Sequence, residues 1–267
     1  DELAAEVFAG KYALRDQQGN LYEKTPADMN KRLAKEFARI EAKYPNPMSY
    51  EEILELFDSG KVVCQGSPMS GIGNPYQLQS LSNCFVIEAP QDSYGGILRA
   101  DQEQVQIMKR RGGVGFDIST IRPRGMSTSN AARTTDGIGV FMERFSNTCR
   151  EVAQGGRRGA LMLTIDVHHS EIRRFINIKR DLKKVTGANI SIRLSNEFME
   201  AVKNKGQVQL RFPVQKDVPH LVEEMVDAEQ LWNEIIEAAH ASAEPGLFFW
   251  IRLKAWDRLI SMSNISL

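Results

Sequence analysis

Cys84, in Leu81-Ser-Asn-Cys-Phe-Val-Ile87, is the residue of this chain with the widest chemical reach. A thiolate can attack, ligate a metal or carry electrons, and each task needs a partner: a base, a metal or a second cysteine. Alternation along an extended segment sends Cys84 to one face and Asn83 and Phe85 to the other. A lone strand cysteine also packs well as a small hydrophobe, and both readings stand at this point. Cys64 and Cys149 complete an odd count of 3 with no CxxC spacing, which argues against a disulfide scaffold and a zinc site. Cys149 reads as helix-packed and Cys64 as a buried strand residue.

Three glycine-rich segments are the next candidates: Gln65-Gly-Ser-Pro-Met-Ser-Gly-Ile-Gly73, Arg110-Arg-Gly-Gly-Val-Gly115 and Gln154-Gly-Gly-Arg-Arg-Gly159. Each is a place where backbone comes close to a neighbour. Two hold adjacent arginines, so amide groups and guanidinium forks can face one anion, as phosphate recognition requires. None ends in Gly-Lys-Ser/Thr and none fits GxGxxG. Tight turns with solvated arginines would have the same composition, but three such segments together favour a nucleotide site. His168 and His169 precede a helix cap at Ser170 and read as surface or packing residues rather than metal ligands. His220 and His240 have no partner at ligand spacing.

The elements that must position these groups follow from periodicity. Thr25-Pro26 opens a helix through Ala42, with Met29, Leu33, Phe37 and Ile40 at helical spacing. A second helix follows Ser49, and the prolines of Tyr44-Pro45-Asn46-Pro47 separate the two. From Val62 the texture becomes extended runs between glycine-rich loops. Ser80 to Ile87 is a strand candidate, and Asp92-Ser93 caps a helix to about Arg111. Strands over 113–118, 160–166 and 189–194 then alternate with helices over 137–152 and 170–181, and a further helix begins at Glu197. The organisation expected is a helical lead-in over 1–60, an α/β region over 61–250 forming a barrel or open sheet, and a tail over 251–267.

The 267 residues are 42% apolar, enough for a real core, and 34 basic against 34 acidic residues give a formal net charge of +0. No bulk field gathers nucleic acid or membrane lipid, so phosphate recognition must be local. No run of eighteen apolar residues occurs, and the opening Asp-Glu-Leu-Ala-Ala-Glu is acidic where a secretory signal would be basic. A cytoplasmic protein without nucleic-acid or membrane partners is expected, and the start without Met suggests a processed or excised segment.

The order Gln65-Gly-Ser-Pro-Met69, Ser82-Asn-Cys84, Arg111-Gly-Gly-Val-Gly-Phe-Asp-Ile-Ser-Thr-Ile-Arg-Pro-Arg-Gly125, Gln154-Gly-Gly-Arg-Arg-Gly-Ala160 and Gly187-Ala-Asn-Ile-Ser-Ile192 resembles the large subunit of ribonucleotide reductases. The resemblance implies the first half of a ten-stranded α/β barrel, preceded by a small helical domain, and reduction of ribonucleotides by thiyl-radical chemistry. In that family a thiyl radical on a finger loop takes the 3′ hydrogen, and two other cysteines deliver electrons as they become a disulfide. Cys84 matches the first of that pair; its partner and the radical cysteine would lie beyond residue 267, so this chain alone is expected to be inactive. Ser67, Asn83 and Gly113 fall where the family binds substrate, although the family often has Ser in place of Asn83. Asp92, Ser93, Arg122, Gln154 and Arg158 fall where it reads a deoxynucleoside triphosphate or ATP as allosteric effector. Ser129 and Asn130 stand where some members have a further arginine, with Arg133 close by.

The motif style favours adenosylcobalamin as radical source, with a metal-containing small subunit as the other possibility. A homodimer through the specificity-site helices, a C-terminal half supplied separately and a thioredoxin-type reductant complete the implied partners. The tail departs from the family after Phe248-Phe-Trp250. Two other readings compete: a nucleotide-binding or regulatory module of the same fold without chemistry, and a glycyl-radical lyase, whose signature cysteine pair is absent here.

Overall fold

A computed structural model describes residues 2–152 and 159–250. The chain divides into two compact units, the first comprising Asp1–Phe85, Gln106–Gly113 and Val152–Gly159, the second the remainder.

The first unit is helical. α1 (Glu2–Lys11), α2 (Pro26–Glu41), α3 (Tyr50–Asp58) and the short α4 (Gly66–Gly71) precede the first strand. Thr25 and Ser49 each close a capping box at the start of α2 and α3, satisfying amides that a helix start leaves unpaired. Met29, Leu33 and Ala34 of α2 meet Ile53 and Phe57 of α3 and Phe8 of α1 in a buried cluster. Cys64, Met69 and Ile72 pack against it, half-buried. Cys64 thus rests on a helical core and belongs to no strand, contrary to expectation. The segment Gln65–Gly73 is likewise not a loop: residues 66–71 wind into a helix.

A sheet is ordered β1-β2-β3-β4-β7. Its strands are β1 (Cys84–Val86), β2 (Gly113–Asp117), β3 (Leu161–Asp166), β4 (Asn189–Leu194) and β7 (Gly246–Phe249). Cys84 and Phe85 of β1 and Gly113 of β2 are counted with the first unit, the remaining strand residues with the second. β2 to β3, β3 to β4 and β4 to β7 all pair in parallel. Parallel neighbours require crossovers, which α6 (Ile138–Val152) and α7 (Ile172–Asn177) provide. α5 (Tyr94–Met108) precedes β2. β1 is shorter than the 80–87 stretch expected, and α7 ends in a 3₁₀ turn at Ile178–Arg180 instead of running to residue 181. Between β4 and β7 the strand-helix alternation breaks: α8 (Asn196–Lys203) leads into an antiparallel hairpin of β5 (Gln207–Phe212) and β6 (Val222–Asp227), followed by α9 (Ala228–Ser242). The α/β class expected from the sequence is the class observed.

Strand alternation decides the two faces of the sheet. Val114, Phe116, Leu161, Leu163, Ile165, Ile190, Ile192 and Leu194 are buried at 4% exposure or less. Phe116 meets Phe145 of α6 edge-on, with ring centroids 4.8 Å apart. Polar residues, Asp117, Thr164, Asp166 and Arg193, occupy the intervening positions toward the strand ends, with Gly115 and Met162 earlier in β2 and β3. Phe145 is fully buried at 0% exposure. Phe145→Ala is expected to lower unfolding free energy by about 3–5 kcal/mol, read as a shifted urea midpoint with unchanged slope; a shift below about 1 kcal/mol would mean the α6 contact does not hold the sheet.

Candidate functional site

Cys84 begins β1 and is exposed. It lines an open depression of about 360 Å³ with Gln65, Pro68, Leu81, Ser82 and Asn83, all in the first unit. The packed-hydrophobe reading therefore fails for Cys84, whereas it holds for Cys149, 1% exposed within α6. Burial pushes the Cys149 and Cys64 thiols above their ordinary values, which suppresses their thiolates.

Asn83 is the hinge of the arrangement. Its Oδ1 accepts from the Ser67 amide at 2.9 Å, its Nδ2 donates to Gln65 Oε1 at 2.8 Å, and its carbonyl accepts from the Gly113 amide at 2.7 Å. It thereby ties three of the sequence-selected positions, Ser67, Asn83 and Gly113, into one constellation next to Cys84. Ser67 itself is sealed at 0% exposure, with its hydroxyl 3.5 Å from the Arg111 carbonyl. A ligand contact by its side chain would require α4 to shift. Gly112 packs where no side chain fits: a Cβ would stand 2.5 Å from Ile107 Cγ2 and 2.8 Å from the Phe85 ring. The role of Gln79, unmarked in the sequence, is to bond the Ser67 carbonyl and the Ser70 hydroxyl, both at 2.9 Å.

In the second unit, Asp92, Ser93 and Arg122 come together as two different devices. Ser93 accepts from the Gly96 amide at 3.1 Å and caps α5. Asp92 does not cap; it receives Arg122 Nε at 2.7 Å and the Arg122 amide at 3.1 Å. Arg122 Nη1 donates to the Ser127 carbonyl at 2.6 Å, closing the loop that follows β2. Gln154 and Arg158 lie outside the described residues. A shallow depression of about 120 Å³ beside the first turn of α5 is lined by Glu88, Gln91, Gly96 and Arg99 among others.

His169 anchors that loop from behind. It is fully buried, its Nδ1 accepts from the Glu171 amide, and its Nε2 is 3.0 Å from the Ile121 carbonyl, one residue before Arg122. That pattern fixes the neutral tautomer with the proton on Nε2. His168 is also buried, between the Gln209 carbonyl and the Ser195 hydroxyl. Both histidines are packing residues and neither sits at the surface. At the ends of β2, β3 and β4, Arg193 pairs with Asp117 at 3.0 Å and Asp166 at 3.3 Å and lies 4.9 Å from the centre of the Trp250 ring. Periodicity placed these residues on strands but gave no sign of the ion pairs across them.

A family model described as ribonucleotide reductase, barrel domain, matches residues 82–265, and one described as ribonucleotide reductase, all-alpha domain, matches residues 1–77. A protein of Mycobacterium tuberculosis (strain H37Rv) named vitamin B12-dependent ribonucleoside-diphosphate reductase is 30% identical over 250 residues, covering 92% of this chain and 34% of that protein. One of the same name from Thermoplasma acidophilum is 33% identical over 175 residues, 65% of this chain and 22% of that protein. The ribonucleoside-diphosphate reductase large subunit of Arabidopsis thaliana is 28% identical over 195 residues, 63% of this chain and 24% of that protein. The chain spans about a third or less of the length of these relatives.

Burial holds both His168 and His169 below the ordinary value of 6.5. The unfolded chain therefore takes up protons near that value while the folded chain still resists them, so stability present at neutral pH is lost as pH falls through and below it. The urea midpoint is expected to drop between about pH 7 and pH 5.5, and less steeply in His169→Gln; parallel pH profiles for the two proteins would show that His169 carries none of this dependence.

Proposed function

The chain belongs to the ribonucleotide reductase large-subunit family, and from that premise we propose that it supplies one redox thiol and the nucleotide-contacting loops for reducing ribonucleotides to deoxyribonucleotides, the precursors of DNA. The observation that carries this reading is the exposed Cys84 in an open depression, flanked by the amide groups of Asn83 and Gln65. The depression has the size that takes one small molecule. The reaction balances as one ribonucleotide and two thiols giving one deoxyribonucleotide, one disulfide and water, with Cys84 as one of the thiols. The resemblance implies that the second thiol comes from a part of the family's length outside the matched region; of the other two cysteines, Cys149 is sealed in helix packing and Cys64 is half-buried against the helical core.

Asn83 and Gln65 carry donors and acceptors suited to ribose hydroxyls, and Gly113 keeps the backbone beside them free of side chain. Asp92, Ser93 and Arg122 are assigned to the effector site, where a guanidinium suits phosphate and the capped start of α5 favours anions; Gln154 and Arg158, which the resemblance adds to that site, lie outside the described residues. A homodimer through α5 and α6 is supported by exposed Tyr94, Leu98 and Val140 on those helices. The reductant is of thioredoxin type and the setting cytoplasmic; among the described residues no helix is long and apolar enough to cross a membrane. We assign residues 1–60 to a helical lead-in and 61–250 to the half-barrel.

Adenosylcobalamin as radical source is supported by the names of the relatives from Mycobacterium tuberculosis and Thermoplasma acidophilum. It supplies the initiating radical when bound. The lining of the depression at Cys84, namely Gln65, Pro68, Leu81, Ser82 and Asn83, offers amide and hydroxyl groups and no cobalt-ligating base, so it does not itself hold that group.

A nucleoside diphosphate is expected to slow alkylation of Cys84 several-fold without affecting Cys149; equal rates with and without nucleotide would remove Cys84 from the substrate site. Arg122→Ala is expected to weaken deoxynucleoside triphosphate binding by about tenfold, the effect of one charge-assisted phosphate contact, in equilibrium titration. Deoxynucleotide binding with no turnover even after the rest of a family large subunit is supplied would favour the purely regulatory reading.

A further inference from the structure

We propose that Arg32, clamped by Glu23, is a positioning residue for the Cys84 site and acts on it through α4. The pair is buried in the first unit, with side-chain exposures of 10% and 5%. Arg32 Nε meets Glu23 Oε1 at 2.5 Å, and Glu23 Oε2 also takes the Leu14 amide at 2.9 Å. A buried carboxylate so engaged fixes the direction of the guanidinium fork. The fork's far edge reaches the end of α4, where Nη2 donates to the Met69 carbonyl at 2.7 Å and Nη1 to the Ile72 carbonyl. The Met69 carbonyl is among the last four of that helix, which have no partner within it. Gly73 closes the fit: at φ +69° it passes so near that a Cβ would stand 3.1 Å from Arg32 Cγ.

The other end of α4 is the end that matters for chemistry. There the Ser67 amide is held by Asn83, which adjoins Cys84, while Gln65 and Pro68 line the depression around the thiol. A helix of six residues containing two glycines and a proline has little stability of its own. Its placement is therefore set by contacts from outside it: Asn83 at the start, Gln79 on Ser67 and Ser70, the helical core under Met69, and Arg32 at the finish. Arg32 touches no part of the depression, yet it determines where Gln65, Pro68 and Ser67 stand relative to the sulfur.

The test compares the full chain with Arg32→Lys and Arg32→Met, using Cys84→Ser to assign the adducts. Hydrogen exchange and iodoacetamide labelling are read site by site, and labelling is repeated with ADP. In Arg32→Met, exchange over residues 67–72 is expected to rise about tenfold or more while α2 and α3 stay protected, the mark of local rather than global loosening. Labelling of Cys84 should rise with it and labelling of Cys149 should not. Arg32→Lys keeps the charge opposite Glu23 but lacks the fork, so it should recover part of the protection. Equal loss of protection in α2, α3 and α4 would mean that Arg32 only stabilises the unit, and would overturn the proposal. If Arg32→Met does not fold, Arg32→Lys decides alone, and unchanged exchange over 67–72 sinks the idea. The ADP arm rests on the function proposed above: no shielding of Cys84 in the parent chain would refute nucleotide binding while leaving the exchange result valid. Equal shielding in parent and variants would refute positioning for a ligand.

Discussion

The hydrogen bond from the Ser67 amide to the Asn83 side chain is the contact on which the rest of the site depends. It spans 16 residues of sequence and joins the start of a short helix to the residue preceding the exposed thiol. Asn83 is uniquely suited to this task because its amide presents an acceptor to Ser67 and a donor to Gln65 at once. Serine, which resemblance to the family would lead one to expect at this position, has one rotatable hydroxyl and could not hold both partners in the same way. The cysteine thus owes its setting to a side chain that does no chemistry.

A second constraint comes from the sheet. Because alternate residues face opposite ways, the apolar set that packs on the helices leaves a row of polar side chains on the other face. Asp117, Asp166 and Arg193 occupy neighbouring strands, and each carboxylate has further donors: the Ser119 amide and Thr164 hydroxyl for Asp117, the His168 amide for Asp166. Such saturation is what permits three charges to sit together at 17–22% side-chain exposure. The same strand ends lead into the Arg122 loop and the buried histidines, so the order of this face and that of the loop after β2 are linked through His169.

Much of this was legible in the sequence. The α2 and α3 starts were announced by Thr25 and Ser49, and β2, β3, β4 and α6 by unbroken alternation or helical spacing. Motif order carried the family where no single motif could. What escaped had physical reasons. Residues 66–71 are poor helix formers, made helical by contacts from residues 32 and 83 that no local pattern encodes. The Glu23–Arg32 pair joins a loop to a helix and leaves no periodic trace. His168 and His169 read as surface or packing residues, and only the β5–β6 hairpin and the Ile121 turn, which their neighbours do not announce, decide for packing. Asp92 looked like a helix cap by type, but Arg122 competes for it more strongly than a backbone amide does.

β7 ends the sheet order, with Gly246–Phe249 paired to β4 along one margin only. Its Leu247, Phe249 and the following Trp250 are large and substantially solvent-accessible. Among the described residues no strand pairs with the other margin of β7, and free hydrogen-bonding groups beside greasy side chains make an adhesive strip that natural proteins seldom leave bare. The colloidal behaviour of this polypeptide is consequently tied to whatever shields that strip.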